Sequence, residues 1–265
     1  RTQAPAGAGY ALENRAVLRR TLPDLFRDCR VRRHAAFFES YRAMLGGLAP
    51  HTDVPRVVLL TSGPYNETYF EHAYLARHLG IALVEGGDLL VRDQRLLLKP
   101  LTGLLRVDVV LRRQDDVFCD PLELYQESTL GVPGLVQAVR AGNVAVANAL
   151  GSGVTESAAW MAFLETLCPP LLGESLRMPS IATWWCGQEG PRQTVLDNLD
   201  RLVVKPTFPA RGGEPIFGAQ LDDDGRAALA ARIASSPDEF VAQEQVSLSV
   251  APVWQDGGLA PRRVT

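Results

Sequence analysis

Residues Leu202–Gly213 read LVVKPTFPARGG, an apolar, β-branched run that ends on a lysine and then on two glycines. The run has the character of a buried strand, so Lys205 places an ammonium where a sheet meets solvent. Gly212 and Gly213 follow, and glycine lets backbone amides approach an anion closely. That combination suits a polyphosphate. By themselves the same residues also suit an ordinary surface turn, so the neighbouring segments decide. Downstream, DDDGRAALAARIASS reads as a helix, and FVAQEQVSLS as a strand that closes on Gln243 and Glu244, where a hinge could hydrogen-bond an adenine edge. The order is strand, glycine loop, helix, hinge strand.

Upstream of this stretch, PRQTVLDNLDRL reads as a helix, MPSIATWWCG as a short strand and loop, and VTESAAWMAFLETLC as a helix before a proline-broken connector. From Arg56 the pattern is β-α-β. RVVLLT is an apolar strand, SGPYNE a loop, TYFEHAYLARHLG an amphipathic helix ending in Gly80, and IALVEG a second strand. RVDVVLRR and NVAVANA supply two more strands, with a helix around Pro133–Ala141 between them. Such a unit favours a parallel sheet faced by helices. Residues 12–48 read as two helices divided near Arg30–His34, and APHTDVP as a linker. The expected fold is therefore α/β, organised as an N-terminal helical segment (1–54), an open parallel-sheet layer (55–150), a helical connector (151–200) and a β-loop-α-β part (201–265).

Composition narrows the function classes. The 265 residues carry a formal net charge of −3, and the Lys and Arg residues read as scattered rather than gathered on one face, which disfavours nucleic acid and anionic membrane as partners. A small polar ligand fits better. Cys29, Cys119, Cys168 and Cys186 form no CxxC pair and have no His at metal-ligand spacing, so a reducing cytoplasm is expected. No apolar run reaches the ~18 residues of a spanning helix. The chain opens without Met in RTQAPAGAG and stops where GLAPRRVT leads toward another strand, so both ends read as interior to a longer protein. His72 and His78 read as packed or solvated, Trp184 and Trp185 as core, and Cys119 and Cys186 lack the neighbouring His that would make them nucleophiles.

The segments GYALENR, GPYNETYFEHAYLARHLG, LVEGGDL, LRRQDDVFCDPLEL, LGVPGLVQAVRAGNVAVANALGSG and LVVKP occur in one order along nearly the whole chain. Together they resemble the circularly permuted ATP-grasp family, type 2, which is related to glutathione synthetase and glutathionylspermidine synthase. The resemblance implies a substrate domain at 55–150 and part of an ATP-grasp nucleotide-binding lobe at 201–265. It further implies that Lys205 contacts ATP phosphates, that Arg211, Gly212 and Gly213 form the glycine loop, and that Gln243 and Glu244 face the adenine. On the substrate side, Arg112 and Arg113 close a strand where a guanidinium can hold a carboxylate bidentately. Asn66 and Glu67 open a helix whose N-terminal amides favour a charged or polar ligand, and Asn148 ends a strand beside the same cleft. The plainer readings stand beside these: Asn66 as a helix cap, Arg112 paired with Asp115 or Asp116, Asn148 as a turn residue.

The activity implied is ATP-dependent ligation of a small-molecule or peptide carboxylate to an amine through an acylphosphate, with Arg113 and Lys205 as the catalytic residues. The implied cofactors are ATP and Mg2+. The metal ligands are not identified in the chain, because the family's E-x-N motif lies just upstream of the GYALENR region and Arg1 stands at about its Asn position. TFPAR also replaces a segment in which many relatives carry an acidic residue. The alternative is a catalytically inactive nucleotide- or peptide-binding module, and a third possibility is an interaction scaffold without nucleotide.

Overall fold

The computed structural model of the chain describes residues 4–208 and 213–263. They form two compact units, Arg1–Val154 and Thr155–Thr265. The first contains, in chain order, α1 (Ala8–Thr21), α2 (Pro23–Asp28), α3 (Ala35–Gly47), β1 (Val57–Leu60), α4 (Tyr69–Leu79), β2 (Ala82–Val84), β3 (Leu89–Arg92), β4 (Arg95–Leu98), β5 (Leu105–Arg106), β6 (Val109–Arg112), α5 (Leu135–Arg140) and β7 (Ala145–Ala147). The main sheet has the order β2-β1-β6-β7 and is parallel throughout.

The two-residue period of a strand divides its apolar side chains between two layers. Val58, Leu60, Val110 and Val146 join a core with Leu89, Leu96, Leu135 and Ala138. Leu59, Val109, Leu111 and Ala147 join another with Phe38, Leu45, Leu75 and Leu79. With both faces covered, the strands carry near-continuous hydrophobic runs, as parallel strands do. All four strands read from the sequence at 55–150 are present.

Three differences have physical reasons. The segment 89–106 has no counterpart in the sequence reading, yet β3, β4 and β5 form an antiparallel meander covering one face of the sheet. Its first turn uses Asp93 and Gln94, both at positive φ (51° and 58°), the two-residue hairpin geometry without the glycine that usually signals it. The N-terminal helices are not a separate body: α1 and α3 share the core built on Leu59 and Leu75. They are three helices rather than two, because Pro23 follows Leu22 and forces a stop. A Cβ on Gly9 would stand 2.7 Å from the Glu71 carbonyl oxygen, so only glycine lets α1 lie this close to α4.

The second unit contains α6 (Leu164–Leu172), β8 (Thr183–Trp185), α7 (Glu189–Asp197), β9 (Leu202–Pro206), β10 (Ile216–Phe217), α8 (Asp223–Ser235), β11 (Phe240–Glu244), β12 (Val250–Gln255) and β13 (Gly258–Arg263). Its main sheet has the order β10-β9-β11-β8, with antiparallel neighbours. Val195, Leu229 and Ile233 of α7 and α8 back it through Leu202, Val204 and Ala242. The helix expected over 154–168 is instead two 3-10 turns, Ser152–Glu156 and Ala158–Ala162, followed by α6. The Ala158 amide donates to the Thr207 carbonyl and Ser157 caps the second turn, so contacts to the strand end outweigh the helical pattern.

Between β6 and α5 the chain is held by Asp120. Its fully buried carboxylate accepts from the Leu122, Gly134 and Val136 amides at 2.9, 3.2 and 2.9 Å. Asp120→Ala orphans three amides in the interior and is expected to lower unfolding stability by about 3 kcal/mol, measured by urea denaturation, with Asp120→Asn milder. A change within error would show that the loop relaxes and finds water.

Candidate functional site

In the first unit, β1 leads through α4 to β2 on one side, while β6 pairs on its other side. That is a topological switch point, where open α/β sheets place ligands beyond the carboxyl ends of the strands. A crevice of about 410 Å³ opens there, lined among others by Asn66, Glu67, Thr68, His72, Arg113 and Gln114. Alternation along β6 sends Val109 and Leu111 toward α3 and α4, and Arg113, two residues on, follows them. Its amide extends the ladder to the Leu60 carbonyl at 2.9 Å.

Arg113 is 6% exposed. Its Nη2 lies 3.5 Å from the Tyr41 hydroxyl, while among the described residues Nε and Nη1 have no hydrogen-bond partner, nor has Oε1 of the neighbouring Gln114. A buried guanidinium with two idle donors carries a large desolvation penalty, which an anion arriving in the crevice would relieve.

The wall beside Arg113 is a hydroxyl-histidine chain that sequence reading did not find. Thr68 Oγ1 donates to Asn66 Oδ1 at 2.6 Å, so it accepts from His72 Nε2 at 3.0 Å, and His72 Nδ1 accepts from Thr61 Oγ1 at 2.9 Å. Asn66 Oδ1 also accepts from the Thr68 amide at 2.9 Å, a turn just ahead of α4; the N-cap position is Thr68, without a side-chain cap bond, so Asn66 is not the cap that its plainer reading made it, and its nitrogen is left to donate. Burial pushes His72 below its ordinary value of 6.5; Glu71 draws it back in part, and Arg113 lowers it further. His72 is thus neutral, matching the tautomer the two threonines require. The folded state refuses a proton that the unfolded chain accepts below about pH 6.5, so stability from this site is complete above that value and falls as pH drops toward the lowered folded pKa. Denaturant titrations at stepped pH are expected to show this decline, flattened in His72→Gln; an identical decline in the variant would assign it to other groups.

Arg112 is placed differently. It is fully buried, and its Nε, Nη1 and Nη2 donate to the carbonyls of Asn148, Gln114 and Ala149 at 3.1, 2.9 and 3.1 Å. It ties the loop after β7 to the end of β6 and does not line the crevice, nor does the exposed Asn148.

In the second unit, Lys205 sits on the sheet face opposite the α7–α8 core. Its Nζ donates to Gln243 Oε1 at 2.5 Å, and Gln243 Nε2 donates to Thr183 Oγ1 at 3.1 Å, a polar line across β9, β11 and β8. At the end of β9 a cleft of about 350 Å³ is lined by Lys205, Thr207, Gly213, Glu214, Arg232 and Glu239, among others. Gly213 has φ 112°, a backbone conformation that favours glycine. Arg211 and Gly212 lie outside the described residues. Glu244 is exposed, three positions beyond Val241, the register partner of Lys205. Glu244 therefore stands about 10 Å along the sheet from the register position of the lysine, whereas Gln243 meets Lys205 directly.

The remaining sequence candidates are structural. His78 packs edge-on against Phe38 at 4.8 Å. Trp184 joins the core and Trp185 meets Phe163 edge-on at 6.2 Å. Burial raises both the Cys119 thiol and that of Cys186, the latter to about 11, so neither is a thiolate near neutral pH. Among the described residues, no three His, Cys, Asp or Glu side chains are grouped to hold a metal ion, and no helix is long and apolar enough to cross a membrane.

The family model described as circularly permuted ATP-grasp type 2 matches residues 1–265. An uncharacterized protein of Mycobacterium tuberculosis is 38% identical over 263 residues, covering 99% of this chain and 48% of its own length. A second from that organism is 42% identical over 260 residues, covering 98% and 29%. One from Synechocystis is 40% identical over 251 residues, covering 94% and 52%. The chain spans about half or less of the length of these relatives. A glutathione synthetase-like effector of Globodera pallida, in its apo form, aligns over 80% of this chain and 46% of its own at 16% identity and a TM-score of 0.42, too distant to inform the site.

Proposed function

We propose, from the premise that this chain belongs to the circularly permuted ATP-grasp type 2 family, that it forms part of an ATP-dependent carboxylate-amine ligase. The observation that carries the proposal is the buried Arg113 guanidinium with two unpartnered donors in the switch-point crevice. Arg113 holds the substrate carboxylate there, with Asn66 and the amides opening α4 at its other side, and the exposed Glu67 at the rim available to an amine.

The cleft after β9 takes the triphosphate. Its donor set, an ammonium beside a left-handed glycine, fits phosphate oxygens, and the nucleotide lies along the sheet toward the Gln243–Glu244 hinge. ATP supplies the phosphoryl group: a carboxylate oxygen takes the γ-phosphoryl as ADP leaves, and an amine then displaces phosphate from the acylphosphate, losing a proton to give the amide. Lys205 exchanges its Gln243 partner for phosphate oxygens and steadies their charge. Arg113 keeps the acyl group in position, so that positioning and charge, rather than a protein nucleophile, supply the rate. No step is routed through Mg2+, for which the described residues assemble no ligand cluster. The proposed setting is the cytoplasm, with small-molecule or peptide substrates.

Two measurements test this. Lys205→Met is expected to weaken ATP affinity by about tenfold or more in calorimetric titration; unchanged affinity would remove Lys205 from the phosphate site. ADP release with pooled amines and carboxylates is expected to fall about a hundredfold in kcat/KM in Arg113→Gln, while ATP binding persists. Nucleotide binding without any ADP release in the protein would favour the non-catalytic binding module.

A further inference from the structure

The basic residues are not scattered as the composition suggests. Seven of the chain's 27 Lys and Arg residues lie between Arg15 and Arg33, and all seven line one concavity of about 900 Å³ formed by α1, α2, the following turn and α3. Among the described residues, no carboxylate lines it. Arg20 and Arg27 reach Glu13 and Asp24 outside it, and Arg15 Nη2 bonds His34 Nε2 at 2.7 Å. Among the described residues, Arg19, Arg30, Arg32 and Arg33 have no ion pair. The floor is apolar, from Leu12, Phe26 and Phe38.

Two features separate this cluster from ordinary surface charge. The first is Arg30. The Val31 amide donates to the Phe26 carbonyl and the Arg30 amide to the Arg27 carbonyl, the helix-ending motif whose left-handed residue is usually glycine. Arg30 occupies that residue at φ 48°, so a strained backbone position is given to a cation. The second is polarity. Arginines in the last turns of α1 and α2 are favoured by the negative helix ends, which accounts for Arg19, Arg20 and Arg27. Arg32 and Arg33 instead precede the positive end of α3, where the helix dipole opposes them. Their neighbours disfavour them and an anion would favour them.

We propose that this concavity is a binding site for a small anion carrying two or more linked phosphates, distinct from the cleft at Lys205. Its cations are all arginine, whose planar fork matches phosphate oxygens bidentately. They converge on one volume of ligand size rather than running as a stripe, which suits dense charge on a compact molecule. The apolar floor accommodates an attached base or sugar. A nucleoside polyphosphate and inorganic polyphosphate share this chemistry.

Calorimetric titration with sodium tripolyphosphate at fixed ionic strength, and separately with ATP, tests the site and distinguishes the two sources. Wild-type protein is expected to bind tripolyphosphate, Arg32→Ala/Arg33→Ala to lose about tenfold or more in affinity at one site, and Lys205→Met, which removes the ammonium of the other cleft, to retain a binding isotherm that disappears when Arg32→Ala/Arg33→Ala is added to it. ATP binding more tightly than tripolyphosphate, with the excess dependent on the same arginines, identifies the nucleoside form; equal affinity identifies the inorganic chain. Arg30→Gly adds an opposed readout, since glycine relieves the left-handed residue: thermal stability is expected to rise while tripolyphosphate affinity falls. The proposal is overturned if wild type shows no binding, if the double variant binds as wild type does, or if only Lys205→Met loses affinity. It is overturned equally if polyglutamate or a short RNA binds more tightly than tripolyphosphate through the same arginines.

Discussion

Adjacent arginines at the end of one strand cannot share a face. Arg112 and Arg113 follow the pleat of β6 to opposite sides of the parallel sheet, and the first unit is organised by that divergence. On one side, Arg112 gathers three carbonyls and binds the end of β7 to the end of β6. On the other, Arg113 is carried under α3 and α4 into a crevice where two of its donors meet no acceptor among the described residues. One guanidinium closes the structure and the other leaves it chemically incomplete.

That incompleteness is held in place by neutral groups. Thr61, His72, Thr68 and Asn66 form a directed chain in which each proton position follows from the next, so the wall beside Arg113 keeps its shape without adding a competing negative charge. Glu71 is the nearest carboxylate on α4, and its Oε1 accepts from the Gly9 amide of α1 at 2.9 Å. The close approach of α1 and α4 thus gives one oxygen of this buried carboxylate a partner, while its Oε2 stands 3.9 Å from His72 Nε2.

The second unit uses a gentler version of the same device. Lys205 is held by an amide oxygen rather than by a carboxylate, and Gln243 is in turn held by Thr183. An amide partner orients an ammonium without cancelling its charge, so an arriving phosphate has little to displace. Both units therefore present a cation whose hydrogen-bond partner is neutral, the Tyr41 hydroxyl for Arg113 and the Gln243 amide oxygen for Lys205. The arginines of α1 to α3 line a concavity that no acid among the described residues lines.

The sequence by itself determined the parallel strands, since burial on both faces writes them as unbroken apolar runs at RVVLLT and RVDVVLRR. It also determined the helices with clear stops, such as the one closed by Gly80, and the family, whose motifs run the length of the chain. The meander at 89–106 escaped because its turn is made by Asp93 and Gln94, which carry no turn signature strong enough to punctuate a leucine-rich stretch. The helix read at 154–168 gave way because the Thr207 carbonyl, just beyond β9, takes the Ala158 amide that a continuous helix would use. Most of the candidate site was legible as residue types and not as roles: Asn66, Arg112, Arg113 and Lys205 could all be named, but not which guanidinium is committed and which is idle. That choice belongs to tertiary structure, because a pleat shifted by one residue exchanges the two faces while leaving every local preference in the chain unchanged.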